Sequence, residues 1–418
     1  MSATNHQNPN PPSLSNLLHP QQQNGIIIPP PRTGNSPAMA STTSSSSSSS
    51  LGSGSGSGSL SSAPSAASTV SIINTLAEEI TPRGSTSSDG LDGGRYAFTV
   101  DELDPDNSDK YPASMTESIR EHVFEGGIRY HAYKSGKYAF PNDEIEQNRD
   151  DMKHSMCLML CQGKYFYAPV EEMLERGGEV LDLGTGTGIW PIELGDKYPD
   201  ATFTGIDLSP IQPNLVPENV HFFIDDFEEE WVDPVNKYDY IHVRHTLHSV
   251  QNPQLLFQRA MQHLKPGGYL EIQEIEGRPQ ADDGSISPST PYAFRDYITY
   301  MSAGLRAMGS EMNAIVEVAD LMKSTGFEDV QIVTHKAPLG MWPRDKRLRL
   351  CGLFMRTVIM DGLRGISHRP LTALGWTQLQ IEMFLVDVRK AVMDNKVHAY
   401  FPYHVVYGRK PLVEPEGI

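Results

Sequence analysis

Residues Glu179 to Gly188 read Glu-Val-Leu-Asp-Leu-Gly-Thr-Gly-Thr-Gly. An apolar run (Val180, Leu181, Leu183) enters three glycines spaced by single residues, and Ile189-Trp190-Pro191-Ile192-Glu193-Leu194 continues with a helical pattern. Strand, glycine turn and helix in this order form the ligand-binding corner of a doubly wound α/β fold. Glycine suits the corner because a ligand approaches the backbone where Cβ atoms would stand. A dinucleotide fingerprint requires G-x-G-x-x-G/A. Counting from Gly184 gives Gly184, Gly186 and then Ile189, so that reading fails.

The spacing found is instead D-x-G-x-G-x-G, the pattern of methyltransferases that use S-adenosylmethionine. That ligand carries no pyrophosphate, so the loop need only admit its methionine tail. The next strand, Ala201 to Asp207, ends on an acid nineteen residues past Gly188. A carboxylate there accepts hydrogen bonds from ribose hydroxyls; the plainer alternative is a helix cap or turn residue. A third strand, Val220 to Ile224, enters Asp225-Asp226-Phe227, where a carboxylate can accept from an adenine amino group. The alternative there is a solvated acidic turn, since Glu228-Glu229-Glu230 follow. A fourth strand, Tyr238 to Val243, leads into Arg244-His245-Thr246-Leu247-His248. A helix over Pro253 to Leu264 follows, stopped by Lys265-Pro266-Gly267-Gly268. Tyr269 to Gln273 is the fifth strand, Glu328 to Thr334 the sixth, and Val397 to Gly408 a last strand returning antiparallel. The expected fold class is α/β, a Rossmann-like sheet of the methyltransferase kind, mostly parallel, with helical insertions after strands 5 and 6.

Composition bounds the alternatives. Residues 1–92 are rich in Ser, Pro, Gly, Asn and Gln, with a serine run from Ser44 to Ser50 and a Gly-Ser repeat from Gly52 to Ser59. Such sequence buries too little apolar surface to offset its ordering entropy, so a disordered tail is expected. The chain carries a formal charge of −18. The first 90 residues hold Arg32 and Arg83 against Glu78, Glu79 and Asp89, a net of −1, leaving −17 for the rest. A domain this acidic is a poor general binder of nucleic-acid backbone, and no direct nucleic-acid binding is expected. No signal peptide opens the sequence, and no run of about 18 apolar residues can span a membrane. Cys157, Cys161 and Cys351 make no disulfide framework; Cys157 and Cys161, four apart, read as core residues of one helix face.

The methyltransferase domain is expected over 115–412. It divides into an N-terminal helical cap (115–170), a cofactor-binding core (178–275) and two helical acceptor-side insertions (277–325 and 340–396). In the cap, Asn142 or Asp143 caps a long helix whose Ile145, Met152, Met156, Met159 and Leu160 fall near helical spacing. The cluster from Tyr130 to Tyr133 either closes over the cofactor, Tyr133 foremost, or simply packs. In the second insertion Arg344, Lys346, Arg347 and Arg349 read as a solvated basic face, a nuclear-import signal or a partner surface.

Several of these stretches carry a resemblance. Gly127-Ile128-Arg129-Tyr130-His131-Ala132-Tyr133, Tyr138 to Glu144, Asp182 to Trp190, Asp207-Leu208-Ser209-Pro210-Ile211-Gln212-Pro213 and the C-terminal His398-Ala399-Tyr400 with Tyr407 to Pro411 together resemble the fungal LaeA-like methyltransferases. These are the methyltransferase partners of velvet-domain regulators. The string after the second strand is the most specific piece, and the similarity runs from about 120 to 412. The resemblance implies a Rossmann-like class I methyltransferase fold, a seven-stranded, mostly parallel sheet with helices on both faces. It also implies S-adenosyl-L-methionine as cofactor and a velvet-type complex controlling fungal development, sporulation and secondary metabolism in the nucleus and cytoplasm. It places Asp182, Gly184, Thr185, Gly186 and Gly188 around the methionine moiety, Asp207 and Leu208 at the ribose, and Asp226 with Phe227 at the adenine. The founding branch has Met-Gly-Cys-Gly where this chain has His245-Thr246-Leu247-His248, so the resemblance does not carry over the acceptor chemistry.

Methyl transfer from a sulfonium needs alignment more than activation, because the leaving group is already primed. A base helps when the acceptor is a hydroxyl or amine. His245 and His248, beyond the fourth strand at the carboxyl edge of the sheet, are the catalytic candidates; the alternative is ordinary loop histidines contacting backbone. With His242 they form H-x-x-H-x-x-H, but a strand residue and two loop residues do not converge, so no metal site is expected. Two other functions stay open: a cofactor-binding regulatory scaffold without catalysis, and a small-molecule O- or N-methyltransferase of secondary metabolism.

Overall fold

The computed structural model describes residues 96–98 and 121–412. The expected disordered tail at 1–92 lies outside the described residues. In chain order the elements are β1 (Tyr96–Phe98), β2 (His122–Glu125), β3 (Ile128–His131), α1 (Glu144–Leu160), α2 (Glu171–Glu175), β4 (Glu179–Leu183), α3 (Ile189–Lys197), β5 (Thr202–Asp207), β6 (Leu215–Pro217), β7 (Val220–Ile224) and β8 (Tyr238–Arg244). There follow α4 (Pro253–His263), β9 (Leu264–Ile275), α5 (Ala293–Ala307), α6 (Val318–Thr325), β10 (Glu328–Pro338), α7 (Lys346–Ala373), α8 (Gln378–Met393) and β11 (Tyr400–Arg409).

One seven-stranded sheet runs in the order β10-β11-β9-β8-β4-β5-β7. Strands β7, β5, β4, β8 and β9 pair in parallel; β11 returns antiparallel between β9 and β10. The class I methyltransferase fold expected from the sequence is therefore present. β4 is buried on both faces, which is why it reads as an apolar run rather than an alternation. Its Leu181 and Leu183 pack with Ile241, Val243 and Ile272 under α4 and α6. Val180 turns the other way, to Trp190, Phe203 and Tyr240 beneath α3. A third cluster joins Met156 and Cys157 of α1 to α5, α7, α8 and the β11 residues Tyr403 and Val405. After β4 the chain fills one half of the sheet through β5 and β7, then crosses to β8. This is the reversal of strand order at which α/β sheets open a crevice beyond their carboxyl ends.

Four local expectations change. Residues 122–131, assigned to a helical cap, form the hairpin β2–β3, turned at Gly126-Gly127 with φ of 58° and 77°; only α1 and the short α2 are helical there. Ile145 is 60 % exposed and is not part of the core stripe of α1. The Lys265-Pro266-Gly267-Gly268 stop belongs to β9, because its backbone pairs with the end of β11: Gly267 N–H donates to Lys410 O and Lys410 N–H to Gly268 O (3.0 and 2.8 Å). The basic run of the second insertion divides: Arg344, Lys346 and Arg349 are exposed, as the solvated reading expects, while Arg347 turns inward. Arg347 donates to the carbonyls of Met159 and Leu160 (both 2.9 Å), closing the C-terminus of α1.

Candidate active site

The glycine loop is shaped before any ligand arrives. Gly184 sits at φ +71°, and a Cβ there would stand 2.3 Å from Thr246 Oγ1. The amides of Gly184 and Thr185 both donate to Ile206 O (2.8 and 3.1 Å), tying the bend to β5. Thr185 Oγ1 donates to Asp182 Oδ2 at 2.6 Å, while His242 Nδ1 donates to Asp182 Oδ1 at 2.7 Å. Burial holds the His242 imidazolium unfavourable even against Asp182, so the ring is neutral with its proton on Nδ1. The ring stacks on the Trp190 indole, with centroids 3.8 Å apart and planes nearly parallel at 8°. Its Nε2 is buried, has no partner, and belongs to a ring bordering the cavity. Gly188, expected in the cradle, lies behind it: it caps α3 with left-handed backbone and packs on Phe222, whose Cζ leaves 2.3 Å for a Cβ.

The cavity at the carboxyl edge encloses about 1100 Å³, part of it open to solvent. Asp182, Gly184, Thr185, Gly186, Asp207, Leu208, Asp226, Phe227 and His245 all border it, so nine of the sequence-derived candidates meet in one place. Asp207 accepts from the amides of Gly186 (2.9 Å) and Ser209 (2.8 Å). Burial nevertheless dominates and pushes its carboxyl up to about 6. Asp226 is the opposite case. Burial works against its charge, but the Glu228 amide (3.0 Å) and the ammoniums of Lys137 (3.1 Å) and Lys134 (3.2 Å) hold it below the usual carboxylate range. Tyr133 does not reach the cavity; its hydroxyl points to Asp225 at 3.5 Å, and Lys137 and Tyr138 of the same loop border the cavity instead.

The two histidine candidates separate. His245 borders the cavity and holds φ +54°, an uncommon conformation for a non-glycine residue. Its Nε2 lies 3.3 Å from Cys157 Sγ and its Nδ1 3.4 Å from Glu274 Oε1. Burial disfavours its charge, yet Cys157 and Glu274 outweigh burial and raise its pKa above the ordinary 6.5. His248 stands outside the cavity, its Nδ1 3.3 Å from Glu274 Oε2 and its ring against Phe140. His242 turns to Asp182, so the three histidines do not converge.

Sequence reasoning missed the α1 wall. Glu146, Asp150, Lys153 and His154 border the cavity from one face of that helix. Asp150 pairs with Lys153 at 2.5 Å; His154 accepts from Arg244 at Nδ1 (2.8 Å) and donates from Nε2 to Glu193 (2.8 Å). The signal was a polar i, i+4, i+7, i+8 stripe, present in the sequence but overshadowed by the methionines beside it.

These residues fit S-adenosylmethionine. At Gly186, which borders the cavity, the place of a Cβ has only Asp150 Oδ2 near it (3.5 Å), so a tail can approach the backbone there; the His242 nitrogen lacks a partner, and two carboxylates stand at the ends of neighbouring strands where sugar and base hydroxyl or amino donors need acceptors. Comparison with known proteins agrees. Residues 158–332 match a family model described as a methyltransferase domain. The chain is 36% identical over 315 residues to methyltransferase pytC of Aspergillus terreus, covering 74% of this chain and 93% of that protein. It is 31% identical over 291 residues to secondary metabolism regulator LAE1 of Cochliobolus heterostrophus (69% and 94% covered) and to protein-methionine methyltransferase laeA of Emericella nidulans (69% and 76%). The fold, the cavity and these relatives lead to one assignment: the chain belongs to the LaeA-like family of S-adenosylmethionine-dependent methyltransferases.

Proposed function

We propose that this methyltransferase acts in a regulatory complex with a velvet-domain partner, controlling secondary metabolism, development and sporulation, and that it works in the nucleus and cytoplasm. The names of the relatives as secondary metabolism regulators support the regulatory part. One observation carries the chemical part: the carboxylates of Asp182, Asp207 and Asp226 and the His245 ring border the same cavity as the glycine bend. Bound there, S-adenosylmethionine supplies an electrophilic methyl group on a sulfonium. Gly184, Thr185 and Gly186 seat the amino-acid tail, Asp207 and Leu208 the ribose, and Asp226 with Phe227 the adenine. His245, with its proton on Nδ1, takes up at Nε2, in exchange for its contact with the Cys157 thiol, the proton that a hydroxyl or amine acceptor releases as its new bond to carbon forms. His248 does not reach this position and is not assigned a proton transfer.

The test is methyl release from labelled cofactor by the affinity-purified native complex, comparing wild type with Asp207→Asn and His245→Gln. Labelled product with wild type alone supports the reading. A biological phenotype fully rescued by a variant that no longer binds cofactor would identify a scaffold instead. Purification that brings down no velvet-domain protein would remove the partner, and fluorescence of a tagged chain excluded from nuclei would remove the compartment.

A further inference from the structure

Glu274 lies on β9, is 4 % exposed, and sits behind the loop that carries both histidine candidates. Its two oxygens divide between them: Oε1 faces His245 Nδ1 at 3.4 Å and Oε2 faces His248 Nδ1 at 3.3 Å. Oε1 also accepts the Ile275 amide at 3.1 Å, which fixes the carboxylate against its own strand. A carboxylate accepts only, so each ring that bonds it must present Nδ1–H. For His248 the consequence is visible. Its Nε2 is buried without a partner, so a proton moved there would be an unpaired buried donor. For His245 the same bond aims Nε2 along the α1 wall at Cys157 Sγ, 3.3 Å away, at the end of the stripe that Asp150 and His154 continue along the cavity.

We propose that Glu274 is the positioning residue of this transferase: one buried carboxylate sets the tautomer of His245 and His248 together and thereby holds His245 Nε2 on the Cys157 thiol beside the cavity that the His245 ring borders. The inference rests on the reading of His245 as the proton-accepting group. Glu274 touches neither cofactor nor acceptor; it acts through the rings. His248 is the second tenant that makes the carboxylate indispensable, because a glutamine in its place offers one acceptor oxygen for two N–H groups. The charged and titratable groups facing His245 come from every neighbouring element: Asp150 and Cys157 from α1, His242 from β8, Glu274 from β9 and Tyr403 from β11, with His248 on the same loop and Arg244, bonded to His154, preceding it in the chain. Glu274 is the carboxylate in direct contact with the imidazole; burial works against its charge, but the two rings outweigh burial and hold it well below the ordinary carboxylate range. His245 is held above the ordinary imidazole value. A general-base limb controlled by His245 rises with pH through that raised value, and removing Glu274 moves the limb to lower pH.

The experiment uses full-length protein labelled with ¹⁵N-histidine, with His245 and His248 signals assigned by loss in His245→Gln and His248→Gln. Long-range ¹⁵N–¹H correlation spectra read which ring nitrogen carries the proton and follow the titration. In wild type both neutral rings should carry it on Nδ1. In Glu274→Gln at least one ring should lose its Nδ1–H signal, and the His245 midpoint should fall. Calorimetry with S-adenosylmethionine on the same samples should give the same affinity for Glu274→Gln as for wild type. A wild-type His245 or His248 protonated on Nε2 in its neutral form overturns the inference even if the variant fails to fold. Unchanged tautomers and midpoint in a folded Glu274→Gln overturn it as well. Failure of wild type to bind the cofactor, with the tautomers as expected, overturns the cofactor reading and leaves the Glu274 assignment standing.

Discussion

Acidification should weaken cofactor binding through a single carboxyl group, and the structure gives the size of the effect. Asp207 stands at the end of β5 with a carboxyl pushed up to about 6 by burial, despite two amide donors. Ribose hydroxyls donate to a carboxylate but gain only a weaker partner in the protonated acid, so binding favours the ionised form. If the protonated form binds poorly, the apparent Kd scales as one plus the ratio of protonated to ionised Asp207. The Kd should then roughly double at pH 6 and rise about elevenfold by pH 5, which is about 1.4 kcal/mol of lost affinity. The same linkage requires release of about half a proton per cofactor bound at pH 6. It also sets the sign for the free protein. A folded-state pKa raised above the unfolded value means that stability grows as pH falls from 6 towards 4, and that ionised Asp207 costs about 3 kcal/mol at neutral pH. Titration calorimetry between pH 5 and 7, in two buffers of different ionisation enthalpy, reads affinity and proton release together. Asp207→Asn should bind more weakly at pH 7 and lose the dependence. A wild-type Kd that stays flat from pH 7 to 5, or an Asp207→Asn protein that titrates like wild type, refutes the reasoning.

Other expectations are equally direct. Leu385→Ala on α8, where the side chain is fully buried, should cost about 2–5 kcal/mol in denaturant unfolding, whereas Leu379→Ala on the exposed side of the same helix should stay within about 0.5. Arg369→Lys should loosen the β2–β3 hairpin, because the guanidinium binds Glu125 through two nitrogens (2.8 and 3.1 Å), donates to Tyr138 O (2.9 Å) and lies 3.7 Å over the Tyr130 ring. A point-charge ammonium cannot replace that fork, and proteolysis near Gly126 should accelerate. Asp182→Asn leaves the buried His242 Nδ1–H facing an amide and should lower thermal stability by a few degrees as well as weaken cofactor binding, measured by melting with and without ligand.

The sheet and the cofactor loop were legible in the sequence because their causes are local. The β4 residues Val180, Leu181 and Leu183 are apolar because the strand is covered on both faces, the bend admits no Cβ at Gly184, and Asp207 and Asp226 stand at or just past the ends of their strands. The hairpin was also locally written, as Gly126-Gly127 between two short runs, and the cap assignment passed over a two-residue turn signal. What stayed hidden depends on distance along the chain. Cys157 meets His245 across 88 residues, His154 meets Arg244 across 90, and Glu274 gains its meaning only when β9 lies behind the histidine loop. Nothing within those segments announces the partner. Arg347 shows the same limit: in sequence it belongs to a basic run, and in the fold it closes the end of a helix almost two hundred residues earlier.

The most direct measurement of the central claim is titration of S-adenosylmethionine into the full-length protein beside Gly184→Ala, with circular dichroism confirming that the variant stays folded. The added methyl of Gly184→Ala has no room beside Thr246 and strains a left-handed backbone. Saturable one-site binding by wild type and its loss in the folded variant is the predicted result. Wild-type protein that takes up no cofactor, or a Gly184→Ala protein that binds it undiminished, contradicts the assignment of the cavity.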